Sequence, residues 1–323
     1  MFKVSEIKKF FYILRSQGLI AALNEARIHS VTLIYGRLGI RRNLMLYLNA
    51  GRGTFFSALY KNLYTYMLEN EIGEGIEVMY EHWYNLIILD AYRSDYFRKY
   101  SQLEGELTEV VSKGDFSPEF ISKNFRGEFW DTVVVTANVF YHISPFINDD
   151  TFFKMVFPER NEKSKHRLVT EAAAEENKNY PNKRLIVHYM SPHDPFEGAL
   201  ADNLVEPPWQ GMYQMFRCGK INKKILRNSY IETIREIELE VQKLLPELEG
   251  KTVITSDHGE NLAEKQHGLT LLGHGHPSKE CRMVPWLEID HNERKILRAD
   301  EPKPNKKLNE IELIKRLEYF GYA

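Results

Sequence analysis

The chain has 323 residues, of which 43% are hydrophobic and 27% are charged, and its net charge is −2. This balance suits one large folded domain, or one domain with a small appendage. It excludes the strongly basic class of nucleic-acid-binding proteins and the highly charged, aromatic-poor class of disordered chains. No apolar run approaches the roughly 20 residues that a bilayer-spanning helix needs.

The two cysteines and the first residues of the chain bear on its compartment. Cys218 and Cys281 form neither a disulfide framework nor a CxxC metal motif, which favours a reducing compartment. Glu6, Lys8 and Lys9 stand where a secretory signal peptide would carry its apolar stretch. We therefore expect a cytoplasmic protein.

Residues 1–42 carry eight basic and two acidic residues, with apolar residues roughly on one helical side. Two interpretations stay open. The segment is either a helix packed on the domain, or an interfacial helix that contacts anionic lipid at the inner membrane face. Residues 55–71 also have a helical pattern. We expect a helical extension over residues 1–78 and a catalytic domain over residues 79–323.

Strand and helix patterns alternate through the rest of the chain. The segment WYNLIILD at Trp83–Asp90 is almost continuously apolar, as in a strand that is covered on both faces. Four more strands are predicted, at Asp131–Thr136, Arg184–Met190, Thr252–Thr255 and Met283–Ile289. Long helices between strands predict an α/β fold with three α/β/α layers and a mostly parallel central sheet.

Other segments have weaker patterns. Asp150–Val156 and Glu162–Asn177 are predicted as solvated helices, and Lys223–Leu248 as a long helix with a 3.6-residue apolar period. Residues 198–220 and the Gly/His-rich stretch from Gln266 to Pro277 are predicted as loops.

Ionisable residues follow several of the predicted strands. Asp90 ends the first strand, Asp257 and His258 follow the strand at Thr252–Thr255, and His193 lies in the turn after another strand. Open α/β sheets bind their ligands beyond the carboxyl ends of the strands. Acids and imidazoles at one edge of a sheet are typical of a metal-assisted hydrolase or transferase.

Ser117, followed by Pro118 and Glu119, marks the start of a helix. One interpretation is a helix N-cap. The other is a nucleophile, because a cation lowers the pKa of a bound hydroxyl and a helix N-terminus favours an anionic substrate.

Taken in order, the motifs LIILDAYRSDYF, HYMSPHDPF, TVITSDHGE and a late GHP before VPWLEI resemble the alkaline phosphatase superfamily, in its sulfatase-like branch. The likeness covers about residues 80–320. It implies a divalent metal held by Asp90, Ser117, Asp257 and His258, with Ser117 as the nucleophile. It also implies that His193 and His276 act on the reacting group or the leaving oxygen.

The sequence departs from true sulfatases in three places. The C/S-x-P-x-R signature is absent, since residues 117–121 read SPEFI; a single acid stands at Asp90; and Asp257 is followed by a histidine. The set is more similar to lipoteichoic acid synthases and phosphoethanolamine transferases. A histidine ligand favours zinc or manganese over calcium.

The expected substrate is a small anionic ester, or a glycan- or lipid-linked ester, bound by Arg93, His193, Asp194 and His274. Structural roles stay open for these residues: a pairing with Asp90 for Arg93, and turn or loop roles for the histidines, His267 and His276 included. Three functions follow, namely a metal-dependent phosphate ester hydrolase or transferase, a sulfatase with an atypical serine, and a degenerate protein that binds an anionic glycan or lipid without turnover.

Overall fold

The computed structural model describes residues 55–158, 166–204, 211–266, 269–290, 296–304 and 308–319. The basic segment over residues 1–42 lies outside these ranges, as does His267, so the predictions for both stay predictions. The chain from Leu68 onward forms one compact unit. None of the helices in the described ranges combines the length and the apolar character needed to cross a membrane.

Nine strands and ten helices make up the described part of the chain. The strands are β1 Asn85–Leu89, β2 Glu106–Val111, β3 Phe129–Thr136, β4 Phe152–Val156, β5 Arg184–Tyr189, β6 Thr252–Thr255, β7 Asn261–Gln266, β8 Leu269–Gly273 and β9 Met283–Ile289. The helices are α1 Phe55–Ile72, α2 Ser94–Tyr100, α3 Ser117–Asn124, α4 Phe140–Ile143, α5 Arg167–Asn179, α6 Ala199–Leu204, α7 Met212–Arg217, α8 Lys223–Leu244, α9 Lys279–Arg282 and α10 Glu310–Tyr319.

Seven strands form one sheet in the order β2-β9-β6-β1-β5-β3-β4, and β7 pairs with β8 in a separate hairpin. Strands β6, β1, β5, β3 and β4 are parallel to one another, whereas β9 runs antiparallel to both β6 and β2. The central strands β1 and β6 are buried along their whole length. The predicted mostly parallel sheet is confirmed.

The two faces of the sheet are covered by different helices. Ile87 and Leu89 belong to a buried cluster that includes Leu226 of α8 and Val169 of α5. On the opposite face, Phe120 of α3 contacts the ring of His188 of β5. Because successive side chains of a strand point to opposite faces, the continuous apolar character of β1 follows from this double covering.

Three weaker predictions were wrong. Asp150–Val156 contains strand β4, not a helix, because Phe152 and Phe153 are both buried and the segment pairs with β3. The stretch over residues 198–220 contains the short helices α6 and α7. The Gly/His-rich stretch begins in the β7-β8 hairpin, whose cross-strand hydrogen bonds the glycine count concealed.

Candidate active site

Asp90 and Asp257 meet at the carboxyl ends of two neighbouring parallel strands. Asp90 follows β1 directly, and Asp257 follows β6 by one residue, with Ile88 opposite Thr255 in the register. Asp257 Oδ1 accepts backbone N–H groups from Ala91 at 3.2 Å and His258 at 2.9 Å. These bonds orient the carboxylate so that Oδ2 faces Asp90 and Ser117.

Ser117 lies at the first position of helix α3 and is completely buried. Phe116 takes the N-cap position, so the N-cap interpretation of Ser117 was wrong. The Ser117 Oγ is 2.7 Å from Asp257 Oδ2 and 3.1 Å from Asp90 Oδ2. It is also 3.5 Å from His258 Nε2. The hydroxyl thus points away from its own helix and into the cluster of ionisable groups.

His258 presents a lone pair to the two carboxylates. Its Nδ1 lies 2.8 Å from the Gly259 carbonyl oxygen, which can only accept, so Nδ1 carries the proton. Burial lowers the pKa of His258, which keeps the ring neutral. Nε2 therefore has no proton, and it lies 3.4 Å from Asp90 Oδ1 and 3.5 Å from Asp257 Oδ2.

The two buried carboxylates have pKa values that move apart. Burial, and next the negative charge of Asp257, raises the pKa of Asp90 well above its usual value. Burial acts the same way on Asp257, but the charge of His258 and hydrogen bonds from His188 and Ser117 outweigh it and lower its pKa. Two adjacent buried carboxylates cannot both ionise without a compensating positive charge.

The donor set fits a divalent cation. Oxygen and nitrogen atoms of Asp90, Asp257 and His258 all lie within 4.8 Å of one another in a fully buried group. Asp90 Oδ1 is buried and has no hydrogen-bond partner, although it faces the bare Nε2 of His258. Opposed lone pairs and an unpartnered buried oxygen are the arrangement that a cation would satisfy. Two carboxylates, an imidazole and a hydroxyl are ligand types that zinc and manganese accept.

His188 and Asn138 also belong to this cluster, and sequence reasoning missed both. His188 Nε2 is 3.6 Å from Asp257 Oδ2 and 3.9 Å from Asp90 Oδ2, and its side chain is fully buried. Asn138 donates to Asp90 Oδ2 at 3.3 Å. A histidine inside the apolar strand RLIVHYM was the available signal for His188, because such a strand rarely buries a titratable side chain.

A second group lies beside the first and contains His193, His274 and Glu260. Ligand atoms of the three residues lie within 4.8 Å of one another. The His274 ring is 4.8 Å from the His193 ring and 4.7 Å from the His258 ring, so it connects the two groups. Burial, and then the charge of His274, lowers the pKa of His193 to about 4. Burial raises the pKa of Glu260, which sequence reasoning had not singled out.

Arg93 is turned toward protein partners rather than toward the carboxylate cluster. Its guanidinium forms a bidentate ion pair with Asp95 and an ion pair with Glu264 at 2.8 Å. Its Nη1 also donates to the Glu260 carbonyl oxygen at 3.2 Å. The expected pairing with Asp90 is replaced by these contacts, and the predicted substrate contact stays a prediction.

The remaining predicted residues have different surroundings. Asp194 accepts backbone N–H groups from Met212 and Phe196, and burial, followed by the charge of Glu260, raises its pKa to about 7. His276 is partly exposed and belongs to neither of the two groups of potential metal ligands among the described residues. Their roles in substrate binding and catalysis are not tested by this geometry.

Three solved structures with similar folds illustrate the range of related proteins. The C-terminal periplasmic domain of the phosphoethanolamine transferase EptC from Campylobacter jejuni is 15% identical, with 64% of this chain and 78% of that chain covered and a TM-score of 0.46. The corresponding EptC domain from Escherichia coli, in a complex with Zn, is 15% identical, with 64% and 72% covered and a TM-score of 0.45. A 2-O GAG sulfatase is 12% identical, with 75% and 71% covered and a TM-score of 0.44.

No curated protein sequence matches the chain. The sulfatase family model, in contrast, matches residues 86–289. This range begins in β1, ends with β9 and contains Asp90, Ser117 and the Asp257–His258 pair. The chain therefore belongs to the sulfatase family, within the alkaline phosphatase-like group, and is an enzyme that acts on sulfuric or phosphoric esters.

Proposed function

We propose that the protein is a metal-dependent hydrolase or transferase of phosphate esters, with Ser117 as the nucleophile. The observation that supports this proposal is the position of the Ser117 Oγ, which is within 3.5 Å of Asp257, Asp90 and His258 side-chain atoms. A serine that served only as the start of a helix would have no reason to direct its hydroxyl at two buried carboxylates.

The residues that would hold the cation are Asp90, Ser117, Asp257 and His258. When bound, a zinc or manganese ion would lower the pKa of the Ser117 hydroxyl and stabilise negative charge on the ester. Calcium suits the set less well, because it prefers ligand shells made only of oxygen.

In the proposed reaction, Ser117 Oγ loses its proton and attacks phosphorus. The bond from phosphorus to the leaving oxygen breaks, and that oxygen takes up a proton to leave as an alcohol. Water, or an acceptor hydroxyl in a transferase, then attacks the Ser117 ester and restores the serine. Asp257 holds the hydroxyl in position at 2.7 Å. His193 and His274 lie next to His258, where they can bind the non-bridging oxygens.

A sulfatase that uses an unmodified serine is the second candidate, and the family match favours it. The sequence SPEFI at residues 117–121 argues against it, because sulfatases that form formylglycine need C/S-x-P-x-R. The third candidate is a degenerate relative that binds an anionic glycan or lipid. The domain boundary after residue 78, the cytoplasmic location and a membrane contact by residues 1–42 remain proposals that this geometry does not address.

The decisive experiment combines metal analysis with turnover of three substrates: p-nitrophenyl phosphate, bis(p-nitrophenyl) phosphate and p-nitrophenyl sulfate. Ser117→Ala should lower phosphoester turnover by about 10³-fold or more, as expected for loss of a nucleophile. Ser122→Ala is the matched control, because Ser122 lies on the same helix and its hydroxyl donates to the Glu119 carbonyl oxygen at 3.0 Å.

The possible results separate the three candidates. Phosphoester turnover that Ser117→Ala removes and Ser122→Ala retains supports the proposal. Turnover of the sulfate ester alone favours the sulfatase candidate. Stoichiometric metal without turnover of any ester favours the degenerate binding protein, and absence of any bound metal after reconstitution would contradict the ligand set.

A further inference from the structure

A second cleft lies between helices α2 and α8, away from the carboxylate cluster. It has a volume of ≈ 550 Å³ and is open to solvent. Its lining includes four basic residues and two tyrosines: Tyr96, Lys99, Tyr100, Lys223, Lys224 and Arg227. No part of the proposed reaction uses this cleft.

The cleft has an excess of positive charge. Its one acidic lining residue, Asp95, is held by Arg93 through two hydrogen bonds, at 2.8 Å and 2.7 Å. Arg227 is paired with Glu264 at 2.6 Å. Lys99, Lys223 and Lys224 form no ion pair within the described part of the chain, so three ammonium groups from two helices remain without a counter-charge.

The first turn of helix α8 strengthens this positive field. The helix is 22 residues long and begins at Lys223, and its first turn contains no acidic residue. The N-terminus of a helix carries a partial positive charge, so acids are favoured there and lysines are not. Lys223 and Lys224 therefore occupy positions that cost stability, and such violations concentrate at functional sites.

Two of the lysines and the tyrosines have defined positions. Lys223 Nζ donates to the Ala263 carbonyl oxygen at 2.7 Å, and Lys99 Nζ lies 5.0 Å from the centre of the Tyr100 ring. The rings of Tyr96 and Tyr100 contact each other at 5.5 Å. The cleft thus combines ammonium groups with an aromatic wall, and its volume exceeds that of a single oxyanion.

We propose that this cleft is a binding site for a phosphate or sulfate group, carried on a small molecule whose apolar part packs against Tyr96 and Tyr100. Lys99, Lys223 and Lys224 supply the charge, and Asn228 adds an exposed amide to the same lining. Arg93 joins the cleft to the candidate active site, because it binds Asp95 and also donates to the Glu260 carbonyl oxygen. The site does not depend on the reaction of Ser117.

The test follows the lysines one by one. Reductive ¹³C-methylation retains each lysine charge and gives each side chain an NMR signal, which Lys99→Gln, Lys223→Gln and Lys224→Gln would assign. Sodium sulfate and inorganic phosphate are titrated separately at an ionic strength kept constant with chloride. The three cleft signals should shift with one common dissociation constant, in the wild type and in Ser117→Ala alike.

The matched control removes equal charge elsewhere. In Lys223→Gln/Lys224→Gln, the Lys99 signal should show binding weakened by about tenfold, since two nearby charges are lost. Lys178→Gln/Lys315→Gln, on helices α5 and α10, should leave the binding at Lys99 unchanged. The proposal is overturned if the three cleft signals stay still, or if they shift only in parallel with the signals of Lys178 and Lys315.

The carrier of the oxyanion is identified with two further titrants. Glucosamine 6-sulfate represents a glycan source and glycerol 3-phosphate represents a lipid headgroup. Tighter binding of either molecule than of its inorganic ion shows that the aromatic wall contributes to recognition. Binding of both no tighter than inorganic sulfate and phosphate would contradict the assigned role of Tyr96 and Tyr100.

Discussion

Nε2 of His258 lies 3.4 Å from Oδ1 of Asp90, and neither atom carries a proton that could join them. The residues come from two strands that are adjacent in the sheet but far apart in the sequence. Without a cation, the charge of Asp90 is held in a buried site beside the carboxylate of Asp257. The site is thus destabilising by itself and becomes favourable when a divalent ion is present.

Asp90→Asn should have opposite effects on the metal-free and the metal-bound protein. The raised pKa of Asp90 means that the folded state of the wild type loses stability as the pH rises above the unfolded-state value near 3.8. Chelator-treated Asp90→Asn should therefore be more stable than chelator-treated wild type at pH 8, by about 1 kcal/mol or more, the free energy of one pKa unit. Near pH 4 the difference should vanish. Urea unfolding at both pH values measures it.

The cation reverses the order of the two proteins. At a zinc or manganese concentration 100-fold above its dissociation constant, the wild type should gain about 2.7 kcal/mol of stability, and Asp90→Asn should gain much less. Asp202→Asn, an exposed acid on α6, is the control and should behave like the wild type in both experiments. Equal stabilisation of Asp90→Asn and wild type by the cation would exclude Asp90 as a ligand.

His188 should act as a positioning residue for the carboxylates. Its Nδ1 lies 3.2 Å from the Tyr141 hydroxyl, and burial together with the charges of Asp257 and Asp90 raises the pKa of Tyr141. A neutral tyrosine that donates to Nδ1 leaves the imidazole proton on Nε2, which faces both carboxylates. His188→Gln should weaken cation binding by about 10- to 100-fold, the range typical of residues that orient metal ligands.

Calorimetric titration with zinc tests this role with two further variants. Tyr141→Phe should weaken zinc binding in the same direction as His188→Gln, but by less, because the imidazole itself remains. Tyr189→Phe is the matched control, since Tyr189 lies on the same strand and its hydroxyl contacts Thr170 at 2.9 Å. If Tyr189→Phe weakened zinc binding as much as His188→Gln, the effect would be general to β5 and the role of His188 would be wrong.

The extent to which the sequence predicted this site can be stated residue by residue. Asp90, Asp257 and His258 could be found because each follows an apolar run that predicts a buried strand, and parallel strands end at one edge of a sheet. Ser117 could be found because Pro118 and Glu119 mark a helix start. Their meeting within 3.5 Å depends on how α3 packs on the sheet, which no local pattern encodes.

Other features depended on contacts between distant segments. His188 was hidden inside an apolar strand, where its neighbours in the sequence are all core residues. Strand β4 was mistaken for a helix because five residues are too short for a period to show, and only its pairing with β3 decides the matter. The β7-β8 hairpin was concealed because its glycines and histidines indicate a loop, whereas its backbone pairs across the turn.

His193 should stay neutral at pH 7. Burial, and then the charge of His274, lowers its pKa to about 4 in the metal-free protein. A neutral imidazole can bind an oxygen or a cation, but it has no additional proton to give to the leaving oxygen. A pH titration followed by NMR of ring nitrogens in metal-free protein, with His193→Gln to assign the signal, measures this pKa directly.

A second variant separates the two causes of that low pKa. His274→Gln removes the charge but leaves His193 buried, so the pKa of His193 should rise yet remain below the ordinary value near 6.5. A pKa of His193 at or above 6.5 in the wild type would contradict both the burial of the ring and its neutral role.

Arg93→Lys distinguishes a structural arginine from a substrate-binding one. Arg93 is 5% exposed, and lysine cannot reproduce its bidentate contact with Asp95 together with its contacts to Glu264 and the Glu260 carbonyl. The free energy of unfolding should fall by about 1 to 3 kcal/mol, the usual cost of leaving buried polar groups without partners. Because those donors face protein atoms, KM for p-nitrophenyl phosphate should change less than about threefold, a difference well below 1 kcal/mol.

Arg98→Lys is the matched control for this variant. Arg98 lies one turn further along α2, is 60% exposed at its side chain and pairs with Glu109 at 2.6 Å. An exposed pair of this kind contributes little, so Arg98→Lys should lower the free energy of unfolding by less than about 1 kcal/mol. If Arg93→Lys instead raised KM by tenfold or more with unchanged stability, Arg93 would bind the anionic substrate. Its ion pairs with Asp95 and Glu264 would then have to open when the substrate enters.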